Sequence, residues 1–162
     1  MENFDVVIPT GKNIKQSDFS ICYTIRSILA QDIQPRKIII VINALNTGVE
    51  EVVNQQFGQL VTLVSGTECI HNISYARNLG AKNCNSETII FMDDDVVLGY
   101  HDHFSRIQYI MEYNDFCCGA KRYWTTVNWA HYLSMDYPMN HNLLLLKSKS
   151  YLPLSAMAGV FT

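Results

Sequence analysis

The chain has 162 residues, of which 48% are hydrophobic and 17% are charged, and its formal net charge is −3. This length matches one domain with a sizeable core, and the composition excludes an intrinsically disordered chain. The acidic balance argues against a nucleic-acid-binding protein, because no basic patch is available to neutralise phosphates.

Strands and helices alternate along the first two thirds of the sequence. In chain order, the patterns predict a strand at 4–9, a helix beginning after Ser17 or Asp18, a strand at 37–43, a helix at 49–57, a strand at 60–65, a helix at 72–84, a strand at 88–92, a helix at 101–113 and a strand at 115–120. The strands are apolar throughout, which is typical of a parallel sheet covered by helices on both faces. Beyond Tyr123 the pattern weakens, and further strands are predicted at 142–146 and 156–161.

Three consecutive aspartates, Asp93, Asp94 and Asp95, follow the fourth predicted strand. Adjacent carboxylates repel one another and are costly to desolvate unless a cation neutralises them. Carboxylate oxygens suit Mg²⁺ or Mn²⁺, which take one or two carboxylates together with substrate phosphates. Ligands of open α/β sheets bind at the carboxyl ends of the strands, so the cluster indicates a metal-bridged phosphate ligand. A solvated acidic turn is the alternative that these residues alone leave open.

Polar or backbone groups also end the three earlier strands of this edge, at Pro9-Thr10, Asn43 and Ser65-Gly66. A nucleotide lying across the edge would meet backbone groups at Thr10, an amide at Asn43 and then the carboxylates. The sequence contains neither a glycine-rich dinucleotide fingerprint nor a phosphate loop ending in Gly-Lys-Ser/Thr. Phosphate charge would therefore be neutralised mainly by a metal at the aspartates, with help from Arg77 or Lys12.

Four segments carry recognisable motifs: VVIPT at the first strand, SILAQDIQPRKIIIVIN across the first helix and second strand, SYARNLGAKN, and ETIIFMDDDVVL. Together, in this order and spacing, they resemble the nucleotide-sugar-binding half of a family 2 glycosyltransferase. The resemblance covers roughly Val6 to Leu98. It implies the GT-A fold, a Rossmann-like and mostly parallel sheet flanked by helices on both faces, and an enzyme that usually inverts the configuration of the transferred sugar.

For the nucleoside, the resemblance implies that Pro9 and Thr10 line the pocket through backbone contacts. Asn43 stands where the family usually has an aspartate that accepts a hydrogen bond from the base. An Asx-type turn at the end of its strand is an alternative role for Asn43. Gly11 occupies the position of a common aromatic residue, so a stacking contact to the base is expected to be missing. Uracil is the favoured base.

For the diphosphate, the resemblance implies that Asp93 and Asp94 contact the ribose and help to position the metal. Asp95 would be the principal ligand of that metal, which is Mn²⁺ or Mg²⁺, with Asp93 as a second ligand. Arg77, in the Ala-Arg-Asn motif, would face the base or the acidic cluster. A surface ion pair on an exposed helix is the alternative role for Arg77.

The resemblance weakens after residue 98. It implies one domain over residues 1–162, with nucleotide-sugar and metal binding in 1–98 and the start of an acceptor-side half in 99–162, truncated at the C-terminus. Inverting members use a later carboxylate as the general base that deprotonates the acceptor hydroxyl. Asp136 is the only acid after Asp115, and its surroundings do not resemble the expected motif. No catalytic residue is therefore assigned.

The leading interpretation is a glycosyltransferase of polysaccharide biosynthesis that moves a sugar from a nucleoside-diphosphate donor, with a UDP-sugar favoured. The acceptor would be a saccharide or a lipid-linked hydroxyl. A non-catalytic nucleotide-sugar-binding module is the alternative. A nucleotidyltransferase with a related sheet is disfavoured because the glycine-rich first loop of that class is absent.

Residues 1–10 lack the basic start and long apolar core of a signal peptide, and the apolar stretches are too short for a membrane span. The five cysteines have no zinc-like spacing and are expected to be reduced and structural. We therefore predict a cytoplasmic protein, with peripheral association at the inner face of the membrane as one option. A homo-oligomer is another, because an unfinished sheet edge favours self-association.

Overall fold

A mixed β-sheet organises the chain. The computed structural model describes residues 3–11, 20–45, 47–118 and 159–161. Within them the strands are β1 (Phe4–Thr10), β2 (Lys37–Ile42), β3 (Thr62–Ser65), β4 (Thr88–Phe91), β5 (Phe116–Cys118) and β6 (Gly159–Phe161). Their order across the sheet is β3-β2-β1-β4-β6-β5. Strands β1 to β4 are parallel, whereas β6 lies antiparallel between β4 and β5.

Helices connect the parallel strands, as the alternation of patterns predicts. They are α1 (Ser20–Leu29), α2 (Val49–Phe57), α3 (Ile73–Lys82) and α4 (His103–Met111), and short 3₁₀ turns occupy Gly58–Leu60 and Thr67–Cys69. The predicted elements of the described ranges are confirmed with shifted boundaries; the third strand begins later because a 3₁₀ turn precedes it. The strand predicted at 142–146 lies outside the described residues. No helix in the described ranges has the length and apolar character required to cross a membrane.

The core consists of two layers, one on each face of the sheet. Alternate residues of a strand point to opposite faces, and both sets are buried in β1 and β2. One face packs against α1, α2 and α4, and the other packs against α3. On the first face the rings of Phe4 and Phe104 meet edge to face, with centroids 4.9 Å apart. The predicted α/β fold with helices on both faces is therefore confirmed.

Helix α3 lies unusually close to the sheet at Gly80. A Cβ atom at this position would lie 2.3 Å from Cγ1 of Val7 and 3.1 Å from Cγ2 of Val41. Ala76 and Gly80 are the buried residues of this helix. Ile73, its first residue, is 45% exposed.

At the opposite edge, Asp5 holds the turn that leads from α3 into β4. Its side chain is fully buried, and Oδ2 accepts hydrogen bonds from the backbone N–H groups of Asn85 (2.8 Å) and Ser86 (3.0 Å). Burial, followed by the negative charge of Asp5, raises the pKa of the nearby Cys84 thiol to about 11. This cysteine therefore stays protonated at neutral pH, as a structural thiol does.

The contact at Gly80 yields a prediction for Gly80→Ala. Alanine favours a helix by about 1 kcal/mol over glycine. A methyl group 2.3 Å from Val7 must displace the helix or the strand, and such overpacking costs about 1–3 kcal/mol. We expect urea denaturation to show that the free energy of unfolding falls by about 1–2 kcal/mol, because the cost of overpacking exceeds the gain in helix propensity.

The matched control is the double variant Val7→Ala/Gly80→Ala, in which the colliding methyl groups are removed. Its loss of stability should be smaller than the sum of the two single losses by about 1 kcal/mol or more. Strict additivity would show that Gly80 is not required by its contact with Val7.

Candidate functional site

The carboxyl ends of β1, β2 and β3 lie side by side at one edge of the sheet. Thr10 pairs with Ile42, and Ile42 pairs with Ser65 in the next strand. Asn43 follows directly, and its backbone N–H donates to the carbonyl of Thr10 at 3.0 Å. The polar residues that the sequence assigns to one edge are therefore neighbours there.

The strands β1 and β4 separate before they reach this edge. Their pairing ends at Val7 with Phe91, and a last backbone hydrogen bond joins the N–H of Met92 to the carbonyl of Val7 at 3.0 Å. Pro9 is a buried residue of β1 beyond this point. Proline has no N–H to donate, so it is tolerated in this central strand where the ladder to β4 has already ended. The strand order reverses between β1 and β4, and open α/β sheets bind their ligands in the crevice at such a point.

Asp94 closes the base of this crevice. It is 5% exposed, and its Oδ2 accepts a hydrogen bond of 2.7 Å from Oγ1 of Thr10, which is itself 1% exposed. The backbone carbonyl of Asp94 accepts a second bond, of 3.0 Å, from Oγ1 of Thr24 in α1. A desolvated carboxylate is costly unless it is hydrogen-bonded, and these hydroxyls tie the end of β4 to β1 and α1. The middle aspartate is therefore not part of a solvated turn.

The aspartates on either side of Asp94 are more accessible. Asp93 forms an ion pair with Arg77 of α3, with 3.0 Å between Oδ1 and Nη2, and the two side chains are 23% and 29% exposed. Asp95 is exposed in the turn after β4. Arg77 thus faces the acidic cluster, one of the two positions that the resemblance allows. A partly exposed ion pair contributes at most about 1 kcal/mol, so its main effect is to orient Asp93.

This donor set fits a metal that arrives with a phosphate ligand. Among the residues that the structure describes, no group of three His, Cys, Asp or Glu side chains converges as in a metal cage made by protein alone. Mg²⁺ and Mn²⁺ instead accept one or two carboxylates and complete their coordination with phosphate oxygens and water. Asp95 and Asp93 supply the two accessible carboxylates.

A cleft of about 340 Å³ opens at the same edge, beyond the ends of β1 and β2. Asn43 lies beneath it, 3% exposed, and its carbonyl accepts a hydrogen bond from the backbone N–H of His71 at 2.9 Å. The cleft is lined by Gly11, Ala44, Leu45, Thr47, Ile70 and His71. Sequence reasoning singled out only Gly11 of these residues. The others come from two loops, where no periodic pattern marks a residue as facing a cleft.

The fold and the edge agree with a comparison to known families. Residues 5–157 match the family described as glycosyl transferase family 2. The chain belongs to this family. The resemblance predicted from the motifs is therefore confirmed, and the match extends well beyond the segment that carries them.

Solved structures share the GT-A fold of this family 2 chain. Against TarS of S. aureus, residues 1–349, the TM-score is 0.57 at 18% identity, covering 70% of this chain and 34% of that one. Against the mannosyltransferase PcManGT from Pyrobaculum calidifontis, in complex with GDP-Man and Mn²⁺, the TM-score is 0.60 at 19% identity, covering 74% and 36%. The chain thus spans about a third of each protein. A search of curated proteins found no match.

The buried hydrogen bond of Asp94 yields a prediction for Thr10→Val. Valine has nearly the shape of threonine but removes the hydroxyl that donates to this buried carboxylate. We expect urea denaturation to show that the free energy of unfolding falls by about 2 kcal/mol, which lies within the range for hydrogen bonds to charged groups. Thr10→Ser keeps the hydroxyl and should lose less than about 1 kcal/mol. Equal stabilities of the two variants would contradict this account of Asp94.

Proposed function

We propose that this family 2 chain binds a nucleoside-diphosphate sugar at the carboxyl edge of β1 to β4 and transfers the sugar to an acceptor hydroxyl. One observation carries the proposal. Accessible carboxylates, Asp93 and Asp95, and a cleft large enough for a heterocyclic base occupy the same edge, with Thr10 between them. A nucleotide sugar has the matching parts, a base at one end and a charged diphosphate towards the sugar.

The cleft supports the assignment of the base and ribose. Its volume lies within the range of small-molecule sites, and its lining is mainly apolar with a few polar groups. TarS has been solved with UDP-GlcNAc, and the mannosyltransferase with GDP-Man, so structures of this fold bind donors with different bases. For this chain we favour uracil, the base that the resemblance of the motifs implies.

The acidic side supports the assignment of the diphosphate. Asp95, with Asp93 as the second ligand, would hold Mn²⁺ or Mg²⁺, and Arg77 would keep Asp93 in place. The ion, when bound, neutralises the charge that accumulates on the departing diphosphate. Asp94 supports the ribose side indirectly, since its carboxylate is already engaged by Thr10.

The proposed reaction is a single displacement. The oxygen of the acceptor hydroxyl bonds to the anomeric carbon as the bond from that carbon to the diphosphate oxygen breaks, which inverts the configuration. The hydroxyl proton passes to a general base. We assign no described residue to this base. The acceptor is proposed to be a saccharide or a lipid-linked hydroxyl at the cytoplasmic face of a membrane.

Calorimetric titration with UDP tests donor binding. We expect Mn²⁺ to raise the affinity for UDP at least about tenfold, since the negatively charged diphosphate is otherwise held next to the carboxylates of Asp93 and Asp95 with no divalent cation between them. Asp95→Asn should remove this metal dependence while leaving the fold intact, because Asp95 is exposed. Glu112→Gln, a change at an exposed acid just after α4, serves as the control and should keep the metal dependence.

Two results would count against the proposal. If Mn²⁺ does not change the affinity for UDP, the proposed metal site is wrong. If Mn²⁺ raises the UDP affinity of Asp95→Asn as much as that of the wild-type protein, Asp95 is not a metal ligand. Transfer and hydrolysis assays with a panel of UDP-sugars then separate an enzyme from a binding module. Binding without turnover of any donor would favour the module.

A further inference from the structure

One residue of the cleft, His71, has a conformation and position that its neighbours dictate. Its backbone φ is 59°, in the left-handed region, and it is the one non-glycine residue with positive φ in the described ranges. This conformation costs free energy for a residue with a Cβ and persists only where the surroundings impose it. Such a residue beside a ligand cleft is a candidate for function.

The surroundings of His71 impose its conformation through hydrogen bonds on both sides. Its own N–H donates to the carbonyl of Asn43. The next residue, Asn72, caps α3 by accepting a bond of 2.9 Å from the N–H of Tyr75. The hydroxyl of Tyr75 donates to Glu68 at 2.7 Å, which joins the helix to the preceding 3₁₀ turn. The backbone of His71 is therefore held in place before any ligand arrives, which lowers the entropic cost of binding.

The imidazole occupies the wall of the cleft that a side chain at position 11 would otherwise form. A Cβ atom on Gly11 would lie 2.8 Å from Oδ1 of Asn43 and 3.6 Å from Nδ1 of His71. The carboxamide of Asn43 thus leaves no room for a side chain at position 11. The imidazole lies in van der Waals range of that same point, so the aromatic surface on this wall comes from His71.

Two large aliphatic side chains of the cleft are open to solvent. Leu45 is 62% exposed and Ile70 is 41% exposed. Together with the imidazole they give the cleft an apolar and aromatic surface that faces water. Nucleobases bind such surfaces, because every base has a π-face that stacks on an aromatic ring and an apolar area that is favourably covered.

We propose that His71 is the residue on which the base of the nucleotide donor stacks, and that it fills the role left open by Gly11. This inference rests on the proposed function, since it assigns the base end of the same ligand. His71 contacts the base alone and has no part in holding the diphosphate. The contribution of the base to affinity is therefore the quantity that depends on His71.

The test compares two probes in the presence of Mn²⁺: UDP, and inorganic diphosphate, which carries no base. Asparagine tolerates the left-handed conformation and keeps the backbone donor, so His71→Asn removes the ring with little strain. We expect UDP affinity to fall about tenfold in His71→Asn, in line with the loss of one base-stacking side chain, while diphosphate affinity is unchanged. Ile73→Ala, an exposed neighbour outside the cleft, is the control.

A second measurement observes the imidazole in the wild-type protein. With diamagnetic Mg²⁺ in place of Mn²⁺, the Cε1–H resonance of His71 should shift on addition of UDP, because a stacked base exerts a ring-current effect, and should stay in place with diphosphate. His71→Gly, which also tolerates the left-handed conformation, assigns this signal among the five histidines.

The outcomes separate the two proposals. If wild-type protein binds UDP and His71→Asn binds it equally well, or if UDP and diphosphate weaken together, the role of His71 is overturned and the donor site remains. The role of His71 is also overturned if its Cε1–H resonance does not shift when UDP binds. If the wild-type protein binds neither probe, the donor site itself is wrong, and the assignment of His71 falls with it.

Discussion

The hydrogen bond between Thr10 and Asp94 is the interaction on which the geometry of the site depends. It joins β1 to the end of β4 at the level where the backbone ladder between these strands has already stopped. A carboxylate buried in this position needs a donor, and the strand end supplies one. Because Asp94 turns inward to meet it, the accessible carboxylates are those of its neighbours, Asp93 and Asp95. Three identical side chains thus acquire three environments.

Thr10 also connects the acidic side of the edge with the cleft. Its side chain donates to Asp94, and its carbonyl accepts the N–H of Asn43. Asn43 in turn fixes His71 through its own carbonyl and limits position 11 through its carboxamide. The two halves of the edge therefore share one residue in the central strand. A ligand that spans both halves meets a surface whose parts are held in register by a short chain of buried hydrogen bonds.

Much of the fold follows from local patterns. The apolar runs of β1 and β2 and the helical spacing of α1 predict two-sided burial, and the structure has it. The insertion of β6 between β4 and β5 has no local signature, because it pairs strands that are distant in sequence. Nor does helical periodicity reveal that Ile73, the first residue of α3, is exposed.

The sequence predicted which edge of the sheet carries these residues, but not the burial or the contacts of each side chain. Thr10, Asn43 and the aspartates lie at one edge of the sheet, and Arg77 pairs with Asp93; that these residues bind a nucleotide sugar stays a prediction. The burial of Asp94 could not be predicted, because the alternation of strand faces stops at the end of β4. His71 was missed because its conformation is imposed by partners in β2 and α3, and residue propensity favours glycine there.

The place of β6 in the sheet affects the order in which the molecule can form. Strands β1, β2 and β3 are neighbours both in sequence and in the sheet, and β4 returns to pair with β1, so all four parallel strands are synthesised before the segment that pairs with β4 on its other side. The outer edge of β4 is complete at that stage, yet its partner comes from the distant segment Gly159–Phe161. Until that segment is synthesised, β4 presents unpaired N–H and C=O groups that another chain could bind. The yield of folded protein would then depend on the rate of translation between β4 and Gly159–Phe161, and on whether chaperones bind the chain during that time.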